Sequence, residues 1–465
     1  MSQPPSGAIR AEAEDGRLTG TAVAASGTGF SGRGYVTGFD ADGDRVEVTL
    51  VAPKDGVYSL RLGFRTPSGP KGFAVRVNGS AGTSGMFPET GPGKFAVHEA
   101  GKVDLKRGEN AVAVEKGWGY YDLDFVEAAP APPPARLARP PLRPADRAAT
   151  PAARALLAYL IDRYGNVTLS GQQEIADAAY VRKTVGVLPA VVAGDFMDYS
   201  PSRVARGADP KGATEKMIAQ ARAGAIVSMS WHWNAPTHLL DRMIRDAAGK
   251  EVDARWYKGF YTNATTFDVA KALASPRSEE YRLLLRDIDA VAKELKKFSA
   301  ANVAVLWRPL HEAEGRWFWW GAKGPEPFKK LWRLMFDRLT RHHGLHNLLW
   351  VYTAGGDAAW YPGDDVVDVV GHDAYPQDSG DPLTGIWETL LRQYGGGKLL
   401  ALTEFGKVPD VARMRRFGVR WSYFVSWTGT LGPKGMSAAD LKRLYAAPGV
   451  QNRDKTRLPA AAKPR

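Results

Sequence analysis

The stretch VAVLWRPLHEAEGRWFWWG, residues 303–321, decides how the second half of the chain folds and what it presents. Its first part is an apolar run of the length of a buried strand. It then releases Arg308, the pair His311 and Glu312, Glu314, and the aromatics Trp317, Phe318, Trp319 and Trp320. A strand that ends on the carboxyl of Glu312 and opens into a loop made mostly of tryptophan does not read as core packing. Flat aromatic faces beside a carboxylic acid suit a sugar, whose C–H surfaces stack on rings and whose bridging oxygen needs a proton.

Working outward, residues 167–173, 188–196, 225–233, 347–354, 365–375, 399–406 and 421–429 give seven more strand-like runs. Amphipathic stretches such as 279–298 and 327–343 fill several of the gaps. Eight strands alternating with helices over residues 152–450 predict a (β/α)8 TIM barrel. The polar residues gather at the C-terminal ends of these strands: Gln172, Asp195, His232, Glu312, Tyr375, Glu404 and Trp427. Barrel active sites are built at that end.

Glu312 and Glu404 both follow buried-type runs, on the fourth and seventh strands, and can face each other across the barrel mouth. Two carboxyls about 5–5.5 Å apart hydrolyse a glycosidic bond with retention, one as nucleophile and the other as acid and then base. The His-Glu pair does not extend to a zinc-protease motif, because Gly315 stands where the second histidine would be. Glu314 lies in the loop, with a hydrogen-bonding or solvent-exposed role expected. Arg308 either holds a carboxylate ionised or makes a structural salt bridge. Alternation points His232 to the mouth while Trp231 and Trp233 pack away from it. The Tyr375 hydroxyl is placed to hydrogen-bond a nucleophilic carboxylate, and Trp427 to floor a sugar ring. Trp256, Tyr257, Phe260, Trp317, Trp320 and Trp360 are candidates for neighbouring subsites.

Residues 8–127 read as all-β, with short alternating runs such as RVEVTLVA (45–52) and FAVRVNG (73–79) between turn residues, which predicts a β-sandwich. GTGFSG matches a dinucleotide fingerprint only by chance, since no βαβ pattern surrounds it. Eight prolines between 130 and 151 mark a semi-rigid spacer at ~3.1 Å per residue. The chain thus divides into a sandwich (1–127), a Pro-rich linker (128–151), a barrel (152–450) and a basic tail (451–465) expected to be disordered.

The formal charge is +12, but 128–154 and 451–465 hold ten Lys/Arg against two acids, so +8 lies in linker and tail. That distribution argues against nucleic acid. The absence of cysteine removes disulfides and thiol chemistry. No apolar run is long enough to span a membrane, and MSQPPSGAIR has no signal-peptide core. A monomer is expected.

WRPLHEAEGRWFWWG, with SWHWNAP upstream and GHDAYP and LTEFG downstream, resembles the β-mannanases of glycoside hydrolase family 26. The resemblance covers roughly residues 152–450. It implies a secreted, retaining endo-β-1,4-mannanase that needs no cofactor for catalysis, with Glu312 as acid/base and Glu404 as nucleophile. It implies contacts to a β-mannan or related polysaccharide from His232, His311, Trp317, Tyr375 and Trp427. A retaining glucanase or xylanase of the same family, or a non-catalytic polysaccharide-binding protein, are the alternatives. KGFYTNATTFD (258–268) is also similar to such enzymes but suggests no role. In the first domain AEAEDGRLTG, GFSGRGYVTGF and GWGYYDLDFVE are similar to family 35 carbohydrate-binding modules. That likeness implies a jelly-roll-like sandwich, a calcium held by Glu12, Glu14 and Asp124, and Trp118 stacking on sugar.

Overall fold

The structure, a computed structural model, describes residues 5–134, 136–246, 249–376, 378–407 and 409–458. It contains two compact units. The first comprises residues 1–136 with 375–392 and 407–419; the second comprises the rest.

The core of the first unit is a sandwich of two antiparallel sheets. One runs Ala22–Ala24, Tyr35–Thr37, Asp122–Pro130, Gly56–Arg65, Ala96–Leu105, with Ile9–Glu12 also paired to Asp122–Pro130. The other runs Arg17–Thr19, Arg45–Ala52, Gly108–Lys116, Lys71–Val77, Ser80–Phe87. Period-two alternation produces the core: Val46, Val48, Leu50 and Ala52 point inward while their neighbours are more exposed. Glu127 is 1% exposed and accepts hydrogen bonds from Arg10 at 2.8 and 3.0 Å and from Arg61 at 2.8 Å.

Two segments that the sequence pattern assigns to the barrel, 375–392 and 407–419, belong to this first unit. Ser84 donates to the buried Asp381 at 2.5 Å and the amide of Lys102 to Thr384 Oγ1 at 2.7 Å. Lys102 Nζ pairs with Glu388 at 2.8 Å, and Arg416 pairs with Asp104 at 2.6 Å.

The second unit is a closed parallel barrel of eight strands. They are β1 (Gly171–Gln173), β2 (Val191–Asp195), β3 (Ile226–Trp231), β4 (Val305–Pro309), β5 (Leu348–Thr353), β6 (Val369–Ala374), β7 (Leu399–Phe405) and β8 (Phe424–Ser426). The helix Glu279–Ala300 shows why the outer layer forms. Ser278 caps it by accepting from the Tyr281 amide, and Leu284, Ile288, Val291 and Leu295 make one buried stripe. Gln172, fully buried, donates to the carbonyls of Ser426 and Trp427 and so closes β1 onto β8.

Three expectations change. The strand carrying the key motif stops at Pro309, three residues before Glu312, because the chain turns at Leu310 into the left-handed region (φ 51°). The second half of the Pro-rich linker is no free spacer. The Ala145 amide donates to Asp368 at 2.7 Å, His346 lies 2.7 Å from Asp146, and Thr150 caps the helix Pro151–Arg163. The tail begins inside the barrel unit: Val450–Gln451 pairs with Thr168–Leu169, and Arg453 is buried against Pro189 and Gln220. Residues 459–465 lie outside the described residues. Among the described residues no helix is long and apolar enough to cross a membrane.

Replacing Glu127 by Ala removes the counter-charge that Arg10 and Arg61 share and leaves Arg61 to the half-exposed Glu99 at 3.2 Å. The sandwich should lose about 3 kcal/mol, the lower end for a broken buried pair because Arg10 is partly solvated. Urea unfolding of the full chain reads this as an earlier first transition.

Candidate active site

Arg308, near the end of β4, is 2% exposed, and its guanidinium bonds two carboxylates. It donates to Asp373 at 2.8 Å and to Glu404. Asp373 and Glu404 are direct partners on β6 and β7 because a register shift after His372 brings them level. Thr403 donates to Asp373 at 2.6 Å. One oxygen from each of Glu312, Asp373 and Glu404 lies within 4.8 Å of the other two.

Glu312 reaches this cluster from a strained turn. Leu310, Glu312 and Arg316 all have positive φ (51°, 54° and 58°), a conformation that costs a non-glycine residue about 1–2 kcal/mol. Burial first, and then the charges of Asp373 and Glu404, push the Glu312 carboxyl well above the usual range, against the opposing pull of Trp317 and Arg308. Trp317 donates its indole N–H to Glu312 at 2.9 Å and is 47% exposed, so it presents a face beside the acid. A Cβ on Gly315 would lie 2.0 Å from the Trp317 ring, so only glycine seats that indole.

The rest of the tryptophan run is structural. Trp319 donates to the carbonyl of Trp233 at 2.6 Å and Trp320 to that of His311 at 2.8 Å. Trp320, 0% exposed, offers no face to a ligand, contrary to the subsite expected of it. Trp360 is likewise buried, with its ring against Phe328, because the loop after β5 folds over it. Trp256 is half-buried with Arg203 over its ring. Tyr375, directly after β6, is 42% exposed.

His232 is held by Asp195: Nδ1 lies 2.6 Å from Oδ2, and the His232 amide donates to Oδ1. Burial alone would depress the imidazole, but the Asp195 charge raises its pKa above the ordinary value, and Asp195 falls to about 2. His232 Nε2 lies 3.1 Å from His311 Nε2. Burial, Arg308 and His232 hold His311 well below the histidine range. The opposite shifts favour His232 as the donor and His311 as the acceptor of that contact. The Trp427 ring sits 6.1 Å from His232, while Trp231 and Trp233 stack on each other at 4.2 Å, away from the imidazole.

The sequence reading passed over Asp373, although it lies within the quoted GHDAYP, and named Asp195 only as a strand end. It also left KGFYTNATTFD without a role. Tyr261 in that fragment pairs with Phe318, and the Thr262 amide donates to the Trp317 carbonyl at 2.8 Å. Burial and then the charges of Glu312 and Glu404 raise the Tyr261 phenol, which places it in the field of both carboxylates.

A carboxyl pushed toward its neutral form therefore lies within 4.8 Å of one held against a guanidinium, shorter than the at least about 6.5 Å of an inverting pair. The family model described as Glycosyl hydrolase family 26 matches residues 145–455. The chain belongs to glycosyl hydrolase family 26. The model for carbohydrate binding module (family 35) matches residues 9–131. This family 26 chain is 40% identical over 457 residues to a mannan endo-1,4-beta-mannosidase of Thermothelomyces thermophilus, covering 97% of itself and 91% of that relative. It is 34% identical to mannan endo-1,4-beta-mannosidase A of a Piromyces species, covering 95% of itself and 72% of the relative. Among solved structures it matches a GH26-CBM35 beta-(1,4)-mannanase of Podospora anserina, with a TM-score of 0.68, 40% identity and coverage of 97% and 98%.

In the family 35 module, Trp118 is 65% exposed and Tyr120 52%, with Lys71 Nζ 5.4 and 4.9 Å from their rings. Glu14 accepts from the amides of Arg33 and Gly34, Asp124 from that of Ser31, and Glu12 from the Ser31 hydroxyl at 2.6 Å. Glu14 Oε2 and Asp124 Oδ2 are buried with no hydrogen-bond partner.

In the fold the two charges coexist from about pH 2 up to the raised His232 pKa, and both stability contributions are full between the ordinary aspartate and histidine values, about pH 4 to 6.5. Asp195 contributes stability that is lost as pH falls through about 2; His232 contributes stability that is lost as pH rises through its raised pKa. Asp195→Asn should thus cost about 3 kcal/mol near pH 5.5, with the deficit narrowing toward pH 2. Thermal denaturation across pH checks this.

Proposed function

We propose that this chain is an endo-β-1,4-mannanase in which Glu404 is the nucleophile and Glu312 the acid/base. The observation that carries the reading is the opposed setting of the two carboxyls: Glu312 is pushed toward its neutral form, while Glu404 lies against the Arg308 guanidinium.

Glu404 attacks the anomeric carbon as Glu312 gives its proton to the departing glycosidic oxygen. The glycosyl–Glu404 ester then forms, and the Glu312 carboxylate draws a proton from water as that water attacks the same carbon. Two inversions give net retention. Arg308 sets its guanidinium against both Asp373 and Glu404 and so orients Glu404 toward the anomeric carbon. Trp317 stacks on the sugar and orients Glu312 through its N–H. His232, paired with Asp195, is held against His311, and Trp427 beside it supplies an apolar floor.

The module raises the local concentration of the enzyme on an insoluble polymer by stacking through Trp118. Its unpartnered Glu14 and Asp124 oxygens, with Glu12 beside them, suit a hard cation such as calcium, which prefers oxygen ligands. Burial raises Asp124 to about 6, with the neighbouring Glu12 and Glu14 charges adding to it, and a bound cation would relieve all three. A polymeric substrate too large to enter a cell sets the site of action outside it.

Glu312→Ala and Glu404→Ala should each lower reducing-sugar release from galactomannan by about 10³-fold or more, within the range of a lost acid or nucleophile. Wild-type products followed by proton NMR should appear first as the β-anomer. A panel of galactomannan, xylan and mixed-linkage glucan should rank galactomannan first. Either variant at full rate, or an α-anomer first, contradicts the assignment.

A further inference from the structure

The turn that carries Glu312 has to be held against its own backbone preference, and Glu314 is the group in a position to hold it. Its carboxylate accepts three hydrogen bonds, from the Tyr352 hydroxyl of β5 at 3.1 Å and from the amides of Gly355 and Asp357 at 2.6 and 3.0 Å. The loop that supplies these amides is itself fixed. His372 Nδ1 lies 2.9 Å from the Ala354 carbonyl, the Ala354 amide donates to Gly371, and Gln393 donates to the Gly356 carbonyl. Across the loop the fit is close: a Cβ on Gly355 would lie 2.6 Å from Glu314 Oε2. Three donors converging on one carboxylate is more than a loop residue needs for solvation.

We propose that Glu314 is a positioning residue for proton delivery, clamping the Glu312 turn onto the loop after β5 so that the acid points at the departing oxygen. This rests on Glu312 being the acid. Leu310, Glu312 and Arg316 supply left-handed backbone without a glycine, so the turn would relax if it were released. Glu314 sits two residues from the acid and transmits the rigidity of β5 to it. Burial lifts its own carboxyl to about 7, against the pull of the three donors.

The test uses two substrates and the full chain. Mannopentaose needs its leaving oxygen protonated; 2,4-dinitrophenyl β-mannobioside expels a stable 2,4-dinitrophenolate and does not. Because kcat/KM reports only steps through formation of the glycosyl-enzyme, a misaimed acid should be felt on the first substrate alone. Glu314→Gln should lower kcat/KM on mannopentaose about 30-fold, part of the roughly 10²–10⁴ a general acid supplies, and change the aryl substrate less than about threefold. Gly355→Ala, whose added methyl displaces the Glu314 carboxylate while keeping it, should give the same split. Glu312→Ala should give a larger one. If Glu312→Ala splits the substrates while Glu314→Gln and Gly355→Ala slow both equally or neither, the positioning role is overturned and the acid assignment stands. If Glu312→Ala itself shows no split, the acid assignment fails and the proposal fails with it.

Discussion

Arg308 is buried between two carboxylates, Asp373 and Glu404, and the barrel mouth is arranged around that contact. A guanidinium removed from water must be paired, and two acids removed from water must share a counter-charge. The three side chains come from β4, β6 and β7, so the pairing is possible only when the parallel barrel has closed in register, with the shift after His372 that brings Asp373 level with Glu404. Glu312 then completes the group close enough for the charges of both other carboxyls to oppose its ionisation. Burial and the charges of Asp373 and Glu404 push the Glu312 carboxyl toward its neutral form, and the proposed acid–nucleophile chemistry rests on that imbalance.

A second layer keeps the acid in place. Trp317 bonds Glu312 directly, Trp320 holds the His311 carbonyl, and Trp319 holds that of Trp233. Of three indoles in one short loop, one faces solvent and two act as donors to buried carbonyls. Aromatic bulk and a polar N–H in the same side chain make tryptophan fit for both tasks.

Much of this was legible in the sequence. The eight barrel strands are apolar runs ending in polar residues, and Glu312 with Glu404 stood out because carboxyls at such ends have no packing reason to be there. The turn at Leu310 was not legible, since its left-handed residues are not glycines and leave no compositional mark. Asp373 was hidden because an aspartate before a Tyr-Pro pair reads as turn chemistry, and only pairing across β6 and β7 gives it a partner. Trp320 and Trp360 could not be told from Trp317 by composition, as stacking and packing use the same ring. The prolines of the linker argued for a spacer, while the bonds that fix it come from Ala145, Asp146 and Thr150. That residues 375–392 and 407–419 belong to the sandwich unit depends on contacts nearly 300 residues apart, such as Ser84 with Asp381, which no local pattern carries.

The most direct measurement is to trap the covalent intermediate. An activated 2-deoxy-2-fluoro-mannobiosyl fluoride should form the glycosyl-enzyme and then stall, since the 2-fluorine slows both steps while the good leaving group speeds only formation. Peptide mapping by mass spectrometry should place one added mannobiosyl unit on Glu404, within LTEFG. A label on Glu312 or Asp373, or turnover with no covalent adduct, would contradict the account.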